Sequence, residues 1–259
     1  MNDQPFNATL AQQLLLERDL PYAIAYKQRT PSTNDDALDG AHGAAHHRTV
    51  FISDEQAQGR GREGRAWHSE RHRGLTFSVL YRPGWEARQT LGFALAVGLA
   101  VRDACAKFSP VEPQIKWPND VLVANKKLAG TLVETQIRGN KLGALVVGIG
   151  VNVNNTVFPD EVLALATSLK LLGGEPVARE RLLTEILAHL DTRYRSFSET
   201  GVAGLLPDLT RFDALLGESI EVGALKGVGA GISPEGALRV RLDSGLERLA
   251  HSGTVRRTP

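Results

Sequence analysis

One segment of the chain alternates glycine with arginine over residues 59–65 (Gly-Arg-Gly-Arg-Glu-Gly-Arg), and Ala66 and Trp67 follow it directly. The segment has no apolar side chain to bury, its arginines repel one another, and its glycines lose backbone entropy when they become ordered. An anion would neutralise the arginines, and glycine would let backbone N–H groups approach the same oxygen atoms. The composition therefore predicts a loop that binds a phosphate or carboxylate group and becomes ordered around it.

The glycine spacing in this segment, Gly59-x-Gly61-x-x-Gly64, also matches the fingerprint of dinucleotide-binding sites. That fingerprint needs a helix directly after it, because the helix N-terminus receives the phosphate. Residues 65–74 show no helical pattern of apolar side chains, so a dinucleotide site is disfavoured. A plain solvated loop is a further alternative, and it does not account for so dense an alternation.

A second segment, residues 116–120 (Lys-Trp-Pro-Asn-Asp), combines a cation with two oxygen-bearing side chains. Asn119 and Asp120 supply hard oxygen ligands, which suit the magnesium ion that accompanies a nucleotide phosphate, and Lys116 supplies a positive charge. Taken alone, the segment is also compatible with a surface Asx turn.

A third segment places Lys127 three residues before Gly130, at the start of a predicted strand. The lysine could contact a carboxylate or an α-phosphate, and the glycine would allow a close approach of the ligand. In isolation, the segment is more typical of an exposed lysine in a turn.

The strand predicted over residues 142–153 has two unlike faces. Valine and isoleucine occupy one face, and Gly148, Gly150, Asn152 and Asn154 occupy the other. Because glycine leaves space on a sheet, this pattern predicts that a ligand lies on that face with the amides as polar contacts.

The remaining periodicity predicts the elements that must position these segments. Helices are predicted over residues 8–17, 90–108, 178–197 and 201–212. Strands are predicted over 22–26, 49–53, 75–81, 121–123 and 128–137, with a hairpin turn at 138–141. From residue 217 onward, short strands and turns follow one another at 219–222, 227–232, 237–242 and 247–251. We therefore predict an α+β domain over residues 1–216 and a small β-barrel over 217–259.

Composition excludes several classes of protein. Thirty basic residues against 29 acidic ones argue against a general nucleic-acid binder. The single cysteine, Cys105, cannot form a disulfide within the chain, which favours a reducing compartment. The longest apolar run, residues 91–101, is too short to span a bilayer, and no secretory signal is visible. We expect a cytoplasmic protein without a membrane partner.

Taken together and in this order, five motifs closely resemble those of the biotin protein ligase family. They are Ser32-Thr33-Asn34, Gln56 with the Gly/Arg segment, residues 116–120, Lys127-Leu-Ala-Gly130 and residues 148–154. The resemblance is strong over residues 22–155 and weaker beyond them. No single motif is specific, but their combination is.

The resemblance implies a fold and a reaction. The fold would be a central mixed β-sheet flanked by helices, as in class II synthetases, with an SH3-like C-terminal domain. Biotin, the substrate, would react with Mg²⁺-bound ATP to give biotinyl-5′-AMP and pyrophosphate. A lysine of a biotin carboxyl-carrier protein would then receive the biotinyl group.

The resemblance also assigns site residues, which we carry over as expectations. Catalysis would depend on Lys127, Arg62 and Arg65. Asp120 would contact magnesium. The biotin site would comprise Ser32, Thr33, Asn34, Gln56, Gly59, Arg60, Arg62, Lys127, Gly130 and Asn152. The ATP site would comprise Arg62, Arg65, Trp67, Lys116, Asn119, Asp120, Lys127 and Asn152.

The sequence also departs from the family pattern. Only 31 residues precede Ser32, too few for the DNA-binding domain of many bacterial members, which would need roughly 50. We therefore expect a ligase that does not bind DNA. Glu63 stands where a further arginine is common, so subunit contacts through this segment, and the choice between monomer and homodimer, stay open.

Two other functions compete with this interpretation. One is a lipoate-type acyl-adenylate ligase of related fold, against which the Gly/Arg segment and residues 116–120 argue. The other is a non-enzymatic nucleotide- or RNA-binding module, against which the balanced charge and the lack of clustered aromatic residues argue.

Overall fold

The computed structural model describes residues 4–68, 70–138 and 141–258. Gly139 and Asn140, the centre of the predicted hairpin turn, lie outside these ranges. The helices are α1 (Ala8–Leu16), α2 (Thr33–His42), α3 (Phe93–Cys105), α4 (Asp160–Leu163), α5 (Leu169–Gly173), α6 (Arg179–Thr200) and α7 (Leu206–Phe212). Short 3₁₀ turns occupy Arg62–Gly64, Ala87–Thr90 and Ala203–Leu205.

Seven strands form the first sheet, in the order β1-β2-β3-β7-β6-β5-β4. Their bounds are β1 (Ala23–Thr30), β2 (Thr49–Gln56), β3 (Leu75–Tyr81), β4 (Gln114–Lys116), β5 (Asp120–Val123), β6 (Lys126–Arg138) and β7 (Lys141–Val151). β1 and β2 are parallel and the other neighbours are antiparallel. This arrangement confirms the mixed sheet with flanking helices.

The two faces of the sheet are covered by different helices, as the alternation of side chains along a strand requires. Val147 and Ile149 of β7 face the large core that contains α3 and α6. Val146 of the same strand faces Ala37 and Ala41 of α2. Gly148 and Gly150 share that second face, so the α2 side of the sheet is where the predicted ligand site must lie.

Five antiparallel strands form the second sheet, in the order β11-β10-β9-β8-β12. Their bounds are β8 (Ser219–Val222), β9 (Leu225–Ile232), β10 (Leu238–Arg241), β11 (Glu247–Ala250) and β12 (Val255–Arg257). Four of these strands were predicted. β12 was not, because its sequence, Val-Arg-Arg, has no alternation to recognise.

Several predicted boundaries differ from the structure. The helix expected from residue 90 begins at Phe93, because Gly92, with φ 78°, interrupts the backbone after the 3₁₀ turn. The helix expected over 201–212 divides into a 3₁₀ turn and α7, which has Pro207 in its first turn. The described helices include none long and apolar enough to cross a bilayer.

Candidate active site

A cavity of about 630 Å³ opens on the α2 side of the first sheet. β6 and β7 form its floor, the loop over residues 59–67 (the Gly/Arg loop) covers it, and β12 of the second sheet closes one end. Most of the predicted site residues line it: Ser32, Thr33, Asn34, Gln56, Arg60, Arg62, Arg65, Trp67, Lys116, Asn119, Asp120, Lys127 and Gly130.

Gly59 and Asn152 were also expected in the site, and the structure places both outside the cavity lining. A Cβ on Gly59 would lie 2.4 Å from the carbonyl oxygen of Trp67, so this glycine allows the two arms of the loop to pack together. Asn152 lies behind Lys127: its backbone N–H donates to the carbonyl of Leu128 (2.9 Å), and its Nδ2 lies 3.4 Å from the carbonyl oxygen of Lys127. Both residues therefore support the site from outside its lining, and their expected contacts with biotin or ATP stay predictions.

One end of the cavity is a neutral polar wall formed by Ser32, Thr33, Asn34 and Gln56 (the polar wall). The backbone N–H and Oγ1 of Thr33 both donate to Gln56 Oε1, at 2.8 and 3.0 Å. Because its oxygen is occupied, Gln56 has its amide nitrogen left as a donor for a ligand. The wall therefore offers polar groups without a net charge, which suits a neutral heterocycle.

Arg60 is held by protein carboxylates. Its guanidinium lies 2.6 Å from Asp35 Oδ1 and 3.4 Å from Glu134 Oε2. Burial alone would lower the pKa of Arg60, but these two carboxylates outweigh it and raise the pKa. Arg60 therefore fastens the loop to α2 and β6, and part of the counter-charge that the sequence assigned to a ligand comes from the protein.

The glycine face of the sheet is covered by side chains. A Cβ on Gly148 would lie 2.2 Å from Asn34 Oδ1, and one on Gly150 would lie 2.3 Å from the indole of Trp67. The expectation that a ligand lies directly on this face is therefore corrected at these two positions, where the missing side chains make room for Asn34 and Trp67. These two residues then form part of the cavity surface.

Positive charge is concentrated at the other end of the cavity. Lys127 Nζ lies 2.7 Å from Asp120 Oδ1 and 5.5 Å from the centroid of the Trp67 ring. Burial lowers the pKa of Lys116, and the nearby cations Arg257, Lys127 and Arg65 lower it further, whereas Asp120 opposes the shift. A phosphate bound here would relieve this repulsion.

The local fold holds Lys127 at the start of β6. Its backbone N–H donates to the carbonyl of Leu165 (2.6 Å), and its carbonyl accepts from the N–H of Thr167 (3.0 Å). The pairing of β5 with β6 is irregular between Val121 and Leu122, opposite this lysine. The segment before α5 thus extends the sheet beside Lys127, and the lysine backbone is fixed on both sides.

The Gly/Arg loop is a small hairpin. Gly61 N–H donates to the carbonyl of Arg65 (2.7 Å), and Trp67 N–H donates to that of Gly59 (2.8 Å). At its tip, Glu63 has a φ of 56°. The Glu63 carboxylate accepts from Thr254 Oγ1 at 2.8 Å, so the tip contacts the residue that precedes β12.

The sequence did not identify several residues at the site. Thr254, Val255, Arg256 and Arg257 line the cationic end, although they lie far along the chain and belong to no motif. Glu134 was also missed, although it alternates with Gly130 and Leu132 and therefore shares their face of β6.

The residues near Asp120 suit a magnesium ion only when the phosphates of a substrate supply its remaining ligands. The amide N–H of Asn119 donates to the carbonyl of Thr131 (2.6 Å), which leaves the Asn119 amide oxygen as a hard ligand, and Asp120, the next residue, supplies a carboxylate. Within the described ranges, no group of three His, Cys, Asp or Glu side chains could hold a metal. Magnesium commonly binds through one or two protein oxygens together with phosphate oxygens, and this donor set suits that arrangement.

Several known proteins are similar to this chain in sequence and fold. The model of the Biotin/lipoate A/B protein ligase family matches residues 26–152. A biotin–[acetyl-CoA-carboxylase] ligase of Paracoccus denitrificans is 34% identical over 231 residues, which cover 85% of this chain and 94% of that protein. The bifunctional ligase/repressor BirA of Bacillus subtilis (strain 168) is 30% identical over 232 residues, 87% of this chain and 71% of that protein.

The fold is also similar to that of a solved structure. The biotin protein ligase from Aquifex aeolicus in complex with biotin and ATP superposes with a TM-score of 0.80 and 28% identity, covering 91% of this chain and 99% of that one. Identity of this extent over nearly the whole fold, together with the shared motifs, shows that the chain belongs to the biotin protein ligase family.

Proposed function

We propose that this protein is an ATP-dependent ligase that activates biotin as biotinyl-5′-AMP and transfers it to a lysine of a biotin carrier protein, such as that of acetyl-CoA carboxylase. One observation carries the proposal. A single cavity joins the neutral polar wall to the cationic end, with Lys127 and Gly130 among its lining. A ligand with an uncharged ring and a carboxylate tail would fill the first part, and a nucleotide would fill the second.

In the first step, an oxygen of the biotin carboxylate attacks the α-phosphorus of ATP, and pyrophosphate leaves. Negative charge increases on the α-phosphate oxygens, where Lys127 would stabilise it, and Arg65 and Lys116 would balance the charge of the departing pyrophosphate. Magnesium, held by the phosphates with Asn119 and Asp120, would neutralise part of that charge. The enzyme needs no covalent intermediate of its own.

In the second step, the neutral amine of the carrier lysine attacks the acyl carbon of the adenylate. An amide forms, AMP leaves, and the amine loses a proton. Because an acyl adenylate also reacts with water and with other amines, Arg62, at the tip of the Gly/Arg loop, would shield it until the carrier docks. Trp67 would form an apolar wall beside the nucleotide.

We further propose that residues 1–216 form the catalytic domain and residues 217–259 an SH3-like domain. The separate sheet over β8–β12 supports this division, although Val222, Leu238 and Val240 share one buried cluster with the first sheet. A cytoplasmic location and the lack of a DNA partner stay predictions, and either a monomer or a homodimer is compatible with the fold.

A lipoate-type ligase is the alternative, and it is not favoured, because the relatives named above are called biotin ligases. The test is to measure ATP–pyrophosphate exchange with biotin and, separately, with lipoate, and then to offer labelled biotin and a biotin carrier domain. We expect exchange with biotin alone and label on one lysine of the carrier. Exchange that depends on lipoate, or no transfer to the carrier, would contradict the proposal.

A further inference from the structure

Glu134 links two parts of the site that are far apart in the sequence. Its Oε2 accepts a 2.5 Å hydrogen bond from Asn34 Nδ2 and lies 3.4 Å from Arg60 Nη2. Asn34 belongs to the polar wall, and Arg60 belongs to one arm of the Gly/Arg loop. One carboxylate oxygen therefore contacts both the wall that would receive the biotin ring and the loop that covers it.

The contact with Asn34 fixes the direction of its carboxamide. Asn34 Oδ1 lies 2.6 Å from Ser78 Oγ, and its residue is only 4% exposed. The two ends of an amide have opposite hydrogen-bonding character. A carboxylate can only accept, so Glu134 requires the nitrogen end of the Asn34 amide to face it, whereas the Ser78 hydroxyl can donate or accept and is compatible with either end. Without Glu134, the Asn34 amide would lack its acceptor and could rotate.

The contact between Glu134 and Arg60 holds the Gly/Arg loop against the sheet. Arg60 forms a β-bridge with Ala66 across the hairpin, so the position of its guanidinium affects both arms. Asp35 on α2 holds the guanidinium from one side at 2.6 Å, and Glu134 on β6 holds it from the other. An exposed ion pair contributes little by itself. The pair of Glu134 and Arg60 differs from a fully exposed one, because the Glu134 side chain is only 32% exposed and the same carboxylate oxygen also accepts from the buried Asn34 amide.

We propose that Glu134 is a positioning residue that couples the polar wall to the Gly/Arg loop. It fixes the orientation of Asn34 toward the ring of bound biotin and holds Arg60 in the closed position of the loop. Only the identity of the ligand rests on the proposed function. The coupling between wall and loop depends on the contacts alone.

Two variants separate the two contacts. Glu134→Gln keeps an amide oxygen that can accept from Asn34 but removes the charge that faces Arg60. Glu134→Leu removes both. The matched control is Glu185→Gln on α6, since Glu185 also bridges two cations, Arg18 and Lys107, but lies outside the cavity.

The first measurement is tryptic cleavage within the loop, which has arginines at positions 60, 62 and 65. In the ligand-free enzyme, both variants should be cut there roughly 10-fold faster than the wild type, as expected when one charged-group hydrogen bond is lost. The second measurement is biotin affinity by calorimetry. Glu134→Leu should weaken it roughly 10-fold or more, and Glu134→Gln should weaken it less.

In Glu134→Leu the KM for ATP should rise less than the KM for biotin, because Glu134 does not contact the cationic end and affects ATP only through the loop, which carries Arg65 and Trp67. Wild-type cleavage rates in both variants would overturn the coupling, and so would an equal rise in the KM values for biotin and ATP. If Glu134→Leu is not folded by circular dichroism, Glu134→Gln alone decides through the cleavage rate. If the wild type does not bind biotin, the proposed function fails, and the cleavage rates still test the link to the loop.

Discussion

The indole of Trp67 lies over Gly150 on β7, at a distance that leaves no room for a side chain. A Cβ on Gly150 would come within 2.3 Å of Trp67 Cε2, and the same ring lies 5.5 Å from Lys127 Nζ. The glycine thus lets the aromatic ring rest on the sheet, where it forms an apolar wall and contacts the lysine cation. This stack of Gly150, Trp67 and Lys127 therefore connects the floor of the cavity, the Gly/Arg loop and the lysine that would stabilise charge on the α-phosphate.

We therefore expect Gly150→Ala to displace the indole from the sheet. The KM for ATP should rise roughly 10-fold, because the apolar wall and the cation–π contact are lost together. Trp67 fluorescence, obtained by subtracting the spectrum of a Trp67→Phe enzyme, should shift to longer wavelength. Gly98→Ala is the control, since its Cβ would meet only Ile115 at an ordinary 3.5 Å. An unchanged KM and spectrum in Gly150→Ala would show that the stack has no role.

Lys127→Ala should reduce the first step about 100-fold or more, as expected when one charge-stabilising group is lost. The variant also leaves the Asp120 carboxylate, 2.7 Å from the missing Nζ, facing the phosphates without its partner. The measurement is biotin-dependent ATP–pyrophosphate exchange. The neighbouring exposed Lys126→Ala serves as control and should exchange at the wild-type rate. A near-normal rate in Lys127→Ala would remove this residue from the mechanism.

The sequence was sufficient to predict the elements that carry strong local patterns. The two faces of β7 were apparent because its side chains alternate between valine or isoleucine and glycine or asparagine. The pairing of β6 with β7 was apparent because one turn separates them. These are properties of neighbouring residues, and they indicated most strands of the first sheet, whereas most residues of the cavity lining were assigned by the resemblance to the biotin protein ligase family.

What the sequence left open depends on residues that meet only in three dimensions. The glycine face of β7 predicted free space, but no pattern could show that Asn34 and Trp67 occupy it. The resemblance assigned Arg60 to the biotin site, but no sequence pattern could show that Asp35 and Glu134 also contact its guanidinium. The cationic contribution of β12 was not predicted, because a basic pair near residue 257 resembles any solvated terminus.

Arg62→Gly should allow the activated intermediate to escape. Arg62 is half-buried at the loop tip, lines the cavity and, among the described residues, makes no ion pair, so its charge is available for a ligand. We expect the variant to attach label to many lysines of a bystander protein in the presence of labelled biotin and ATP. Arg88→Gly is a matched control, because Arg88 is also in a 3₁₀ turn but is exposed and pairs with Glu86. Label restricted to the carrier in Arg62→Gly would contradict the shielding role.

ATP affinity should fall as the pH rises above neutral, because of Lys116. Burial lowers the pKa of this lysine below its ordinary value of 10.5, so in the free enzyme it loses its proton earlier than an exposed lysine does. Bound phosphates favour the charged form and raise the pKa again. Between these two pKa values ATP binding takes up a proton, and its affinity therefore decreases with increasing pH.

The measurement is the dissociation constant of ATP by calorimetry from about pH 7.5 to about pH 10, in buffers of different ionisation enthalpy, which report proton uptake directly. Lys116→Met should bind ATP more weakly at pH 7.5 and should lose the Lys116 part of the pH dependence. Lys127 is present in both enzymes, so the difference between the two curves isolates Lys116. If the curves are parallel, Lys116 does not change its protonation when ATP binds, and its place at the cationic end is structural only.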